Sequence, residues 1–429
     1  MEKQGVPTIT VATTSFTPLA RVNARAFGMP DLTVLTVPHP LGGLSAAEVQ
    51  QRAEDAFPAL VDLMLTTTRP GETEAAQVPA STPDTVRVRG TVTDVYQEFY
   101  EKDWTDGLPI VPPTRERVAR MLKGTSHRPE ELVGELAPGG GAATVERVAV
   151  NAVMAGCRVE YFPVVLAAVA ALADPENNMA GWATTTGANS PVLMINGPVR
   201  GELDINSGSN ALGTGRRANA TIGRAVNLVI RNIGGVLPGV TDMTTYGAAY
   251  EYTNCLAENE EALPPEWVPL NVERGQPAGT SSVTVEAINC QVDIFHHAAL
   301  EFRQILDTAA ASITGVNNLG LLQGMELVLG LNPEAAFLAA KDGWSKEDIR
   351  QYIFEKARQP LRDWKYLGDN TMAFALYPEV LTEPEDSLMR MIAEVKDIII
   401  IVFGGPGKHS VWWPGGQGKA VTKSIDVWR

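Results

Sequence analysis

Two histidines stand where chemistry could happen. His39 lies in "VPHPLGG", between two prolines and just past an apolar run. The proline rings restrict φ and stiffen the histidine in extended backbone. A histidine held that way is suited to proton transfer or binding. His409 lies in "FGGPGKHS", also beyond an apolar run. There Gly404 and Gly405 let backbone N–H groups approach a ligand, and Lys408 adds positive charge, which suits an anion. Neither the Walker spacing nor G-x-G-x-x-G is present. A third stretch, "NSGSNALGTGRRANATIGRA" (206–225), combines dense glycine with asparagine and arginine at a helix start. Asn206, Asn210 and Arg217 are its candidate substrate-binding residues, with a carboxylate or other anion as ligand.

Glu258, in "CLAENEEA", is a candidate acid or base. Cys157 and Cys255 are candidate nucleophiles, though neither has an activating setting: one ends an apolar helix and the other precedes three carboxylates. Cys290 reads as packing. His296 and His297 are adjacent and point apart, so no metal is predicted between them. The alternative chemistry is a metal-dependent hydrolase or hydratase, with His39 or His409 and Glu258 or Asp242 as ligands to a divalent or transition metal. "DWTDGLPIVPPT" (103–114), with its stiff prolines, could form a pocket wall or an interdomain brace, and the brace is the preferred reading.

The elements that must position these residues read as α/β. Strands at 8–13 and 31–37 alternate with helices at 18–28 and 45–65, which implies a small parallel βαβα unit over 1–65. Ser45 and Glu48 form a capping-box pattern, and Pro58 is expected to kink or interrupt the second helix. Residues 66–88 have linker composition. Residues 89–429 form a larger mixed α/β domain with Gly-rich loops, ending in a βα unit. In it, "LMRMIAEVKD" (388–397) reads as a helix, "IIIIVFGG" (398–405) as a buried strand and "PGKHS" (406–410) as the loop beyond. Ligands of open α/β sheets lie past the carboxyl ends of strands, where both histidines fall. Convergence of His39, His409 and the 206–217 segment on one cavity is therefore expected.

The chain has 429 residues and a net charge of −15. That acidity argues against nucleic acid or anionic membrane as partner. No apolar run reaches the ~18 residues of a membrane helix, and three cysteines make neither a disulfide framework nor a four-cysteine metal site. No secretory signal is visible, so the expected location is cytoplasmic. A two-strand unit cannot bury both faces alone, so a homo-oligomer or other assembly is expected.

The stretch "GVPTITVATTSFTPLARVNARAFGMPDLTVLTVPHPLGG" resembles the UGSC-motif (seleno)protein family, and more distantly component B of glycine and betaine reductases. The resemblance covers roughly residues 4–65 and departs at "FGMPDL". It implies thiol or selenol chemistry that breaks a C–X bond, with His39 as the shared histidine. The family's reactive residue lies upstream of this segment. The resemblance thus implies changed chemistry, a substitute cysteine in the second unit, or a cysteine-bearing partner subunit that this chain scaffolds. The remainder is similar to longer bacterial proteins associated with that group. The expected function is an enzyme, lyase-like or reductive, cleaving C–S, C–N or a similar bond in a small carboxylate-bearing substrate.

Overall fold

The computed structural model describes residues 6, 8–66, 85–315, 321, 324–363, 378 and 382–429. Most of the linker expected at 66–88 lies outside them. The chain begins with β1 (Thr10–Thr13), α1 (Thr17–Ala26), β2 (Val34–Val37) and α2 (Ala46–Thr66). β1 and β2 pair in parallel. Ser45 and Glu48 cap α2 reciprocally: the Ser45 N–H donates to Glu48 Oε2 over 2.8 Å and the Glu48 N–H to Ser45 Oγ over 3.4 Å. Pro58 does not interrupt α2, which continues through it. No residue of α2 is buried, and Phe57 and Leu65 lie open.

The larger part continues with α3 (Val92–Glu101), α4 (Arg115–Met121), the hairpin β3 (Leu132–Leu136) and β4 (Gly141–Thr144), α5 (Val145–Ala155) and α6 (Phe162–Leu172). Then come β5 (Ser190–Asn196), α7 (Arg217–Asn232), β6 (Cys255–Ala257), β7 (Ser282–Ile288) and β8 (Val292–Phe295). Next are α8 (Phe302–Gly315), β9 (Leu327–Leu331), α9 (Pro333–Lys341), α10 (Lys346–Lys356) and β10 (Arg358–Pro360). The tail holds β11 (Leu388–Arg390), β12 (Ile398–Val402), β13 (His409–Pro414) and β14 (Val421–Ser424).

Two four-stranded mixed sheets, ordered β14-β7-β5-β6 and β12-β9-β13-β8, carry this part. Alternation along the strands explains how they stack. In the first sheet Leu193, Ile195, Val283 and Val285 pack on α5, α6 and α7. Val192, Met194 and Ile288 face the other way, onto Val328, Ile399, Ile401 and Trp413 of the second sheet. That sheet's far face, with Leu329, Ile400 and Trp412, packs on α8, α9 and α10. The result is four layers: helices, sheet, sheet, helices. Strands covered on both faces read as unbroken apolar runs, which is why "IIIIV" shows no alternation.

Two expectations for the tail are corrected. Residues 388–390 pair antiparallel with 358–360 instead of forming a helix, and only a 3-10 turn (Val395–Asp397) follows. His409 opens strand β13 instead of lying in a loop, and the chain closes on β13, β14 and a 3-10 turn, not a βα unit. At 388–390 cross-strand pairing outweighed local helix propensity, and His409 is drawn into a strand held between β9 and β8.

Candidate functional site

His39 sits at the exposed mouth of β2. Its Nδ1 lies 3.1 Å from Thr13 Oγ1, and its ring is 5.9 Å from that of Phe16. Arg52 of α2 donates to the carbonyls of Pro38 and Pro40, which braces the turn. His409 points elsewhere. Its Nδ1 is 2.9 Å from Asp293 Oδ2 on β8, and its ring packs against Phe295 and His297. Among the described residues no hydrogen bond, ion pair or ring contact joins His39 to His409 or to the 206–217 segment.

The glycine-rich segment meets the 403–408 loop but closes on it. The Gly404 N–H donates to Ser207 O over 2.8 Å, and Gly405 lies so near Ser209 that a Cβ there would stand 2.0 Å from its Oγ. Asn206 and Asn210 bond within their own loop, to Ser209 O and Thr214 O. Buried Asn219, which sequence reasoning missed, organises the loop: it bonds Asn206 N and O, Ala211 O and Cys255 O. Beneath lies Glu258, fully buried. It accepts from Leu270 N (2.7 Å), Asn196 Nδ2 (2.5 Å) and Val402 N (3.4 Å). Burial raises its pKa, while Lys346 and these donors oppose the rise. Lys408 stands 3.6 Å from Glu334. These groups join the two sheets to each other.

The cysteines are not presented as nucleophiles. The Cys157 thiol is pushed up to about 12, chiefly by burial, and donates to Thr221 O over 3.2 Å. Burial also pushes the Cys255 thiol up, and half-buried Cys290 shifts the same way. At pH 7 such thiols hold almost no thiolate. Arg217 lies next to Cys157: its Nε and Nη2 donate to Gly156 O over 3.2 and 2.8 Å.

One cleft combines residues that the sequence did not bring together. It has a volume of about 460 Å³ and lies between the C-terminal half of α7, the entry to β5 and the 236–252 loop. Asn227 and Arg231 reach it from α7, Asn189 from the turn before β5, and Asp242, Thr244, Glu251 and Tyr252 from the loop. The loop is tied down by Thr241, whose hydroxyl donates to Gly235 O and accepts from Leu237 N, and by the Tyr250 hydroxyl on Ala188 O. Asp242 accepts from the backbone N–H and the hydroxyl of Thr244. The 103–114 segment holds α7 within the larger part and does not bridge two domains. Asp106 forms a two-bonded pair with Arg224 (2.7 and 2.8 Å), and it also walls the cleft.

Two features give this cleft chemical character. Glu251 Oε1 accepts from Ala248 N over 2.7 Å, yet burial, with the Asp242 charge adding to it, holds the carboxyl above its ordinary value. The Nδ2 of Asn227 is buried without an acceptor among the described residues. A buried donor left unpaired costs about 1–3 kcal/mol, so an oxygen-bearing ligand beside it would recover that energy. A Tyr-rich, glycine-containing loop, "TTYGAAYEY", was the available sequence signal. It was missed because the expected site lay at carboxyl strand ends, whereas this cleft opens at the amino end of β5.

Among the described residues no group of three or more His, Cys, Asp and Glu side chains is arranged to hold a metal ion. No helix among them is long and apolar enough to cross a membrane.

The UGSC family model matches residues 1–66. No curated protein and no solved structure matches the chain.

Proposed function

We propose that this chain is an enzyme that cleaves a C–S, C–N or similar C–X bond of a small carboxylate-bearing molecule in the 460 Å³ cleft beside α7. The observation that carries the reading is the pairing, in one cleft, of the Asn227 donor, unsatisfied among the described residues, with Glu251, whose carboxyl burial raises above its ordinary value. Perturbed carboxyls in clefts mark acid–base sites. The UGSC match over 1–66 supports the bond class.

In this reading Arg231 and Asn227 bind the substrate carboxylate. Glu251 gives its proton to the leaving sulfur or nitrogen as the C–X electron pair moves to that atom. Asp242 takes a proton from the adjacent carbon, and that C–H electron pair becomes the new double bond. Charge and protons balance without a further reactant. Tyr252 and Trp182 line the same cleft and limit water at the reacting carbons.

Incubating the full chain with a panel of small β-thio- and β-amino-substituted carboxylates tests the proposal. Release of thiol or amine together with an unsaturated acid is expected. Absence of both turnover and thermal stabilisation across the panel overturns it. Turnover that needs an added divalent metal and stops with chelator would instead favour the hydrolase chemistry.

A further inference from the structure

We infer that a second site, at the opposite end of α7, binds the phosphate group of a small phosphorylated molecule. A cleft of about 290 Å³ there is lined by Arg117, Arg120, Arg158 and Arg217. Only one carboxylate, Glu160, shares it. Four guanidinium groups facing one carboxylate are notable in a chain of net charge −15.

The arrangement follows from local structure. Arg117 and Arg120 are three apart on α4 and so share one face. Arg117 is aimed by a 3.0 Å bond to Pro112 O. Arg158 follows the C-cap of α5, lies over the Tyr161 ring at 5.8 Å and pairs with Glu160 at 3.2 Å. Arg217 spends two donors on Gly156 O and keeps the rest of its fork free. Arg120 has no hydrogen-bond or ion-pair partner among the described residues. Arg217 is also the first residue of the 16-residue α7, whose N-cap Arg216 makes no side-chain capping bond.

A lone carboxylate is satisfied by one guanidinium fork. Several forks around a small volume match a tetrahedral dianion with three equivalent oxygens. The cleft's volume is at the low end for ligand sites, which suits a phosphate on a short carbon skeleton. This ligand is separate from the carboxylate assigned to the Glu251 cleft, because Arg217 and Arg231 lie at opposite ends of α7.

Calorimetric titration of the full chain at fixed ionic strength tests the inference, with inorganic phosphate, phosphoglycolate and acetate as probes. Phosphate is expected to bind at least about tenfold tighter than acetate, and phosphoglycolate tighter again if the skeleton is held. Equal affinity of phosphate and phosphoglycolate would assign the site to free phosphate alone and overturn the small-molecule reading. Arg120→Gln removes an exposed group with no protein partner, so the fold should be retained while phosphate affinity falls at least tenfold. Arg217→Lys should also weaken binding by losing the fork. Equal affinity for phosphate and acetate, or unchanged binding in Arg120→Gln, overturns the site.

Discussion

Glu251→Gln is expected to lower turnover by about 10²–10⁴-fold, the usual worth of a positioned acid, while leaving substrate affinity within a few-fold. Glutamine keeps the shape and can still accept from Ala248 N, so the turn should survive. It cannot deliver a proton. The pH profile adds a sign. The protonated carboxyl is the acting form, and burial with the Asp242 charge raises its pKa. Wild-type activity should therefore decline as pH rises through that raised value, and the decline should vanish from the residual activity of the variant. Steady-state kinetics from pH 4 to 9 would check this. Equal turnover in both proteins would remove Glu251 from the mechanism.

Glu286→Gln is expected to stabilise the protein at pH 8 and to change little near pH 4. Glu286 lies on the face of β7 that meets the second sheet, fully buried, and neither oxygen has a hydrogen-bond partner among the described residues. Burial pushes its carboxyl well above the usual range. The neighbouring Glu326 adds to the rise, and Arg274 and Lys419 oppose it. In the unfolded chain the group titrates near 4.5. A carboxyl raised on folding contributes stability that is complete below that value and is lost as pH climbs towards the folded pKa. Glutamine has no charge to lose and can donate to Glu326. Burying an unpaired charge costs several kcal/mol, and 1 kcal/mol moves Tm by about 2–4 °C in domains of 150–250 residues. A gain of roughly 5 °C at pH 8 should appear in thermal melts. A Tm that falls equally at pH 4 and pH 8 would show that Glu286 is neither strained nor protonated.

Much of the scaffold was legible because its signals are local. The Ser45–Glu48 box and the unbroken Ile398–Val402 run each specify their element from a few neighbouring residues. The short strands β6, β8 and β13 were not legible, since their partners lie far away in sequence. The site followed the same division. Arg217 and Cys157 were singled out separately, and they do adjoin, but burial removes the thiol's reactivity. His39 and His409 both follow strands, yet the strands belong to different sheets. Strand-end position alone therefore could not bring them together. Asn227 and Glu251 meet only because α7 and the 236–252 loop fold back on the start of β5, a long-range event with no spacing signature.

The proton on Glu251 can be measured directly. Its side-chain carboxyl carbon, assigned by comparison with Glu251→Gln in selectively ¹³C-labelled protein, should titrate above 4.5, the ordinary value, and move further on addition of a bound small carboxylate. A midpoint at or below 4.5, unmoved by ligand, would contradict an acid–base site in this cleft.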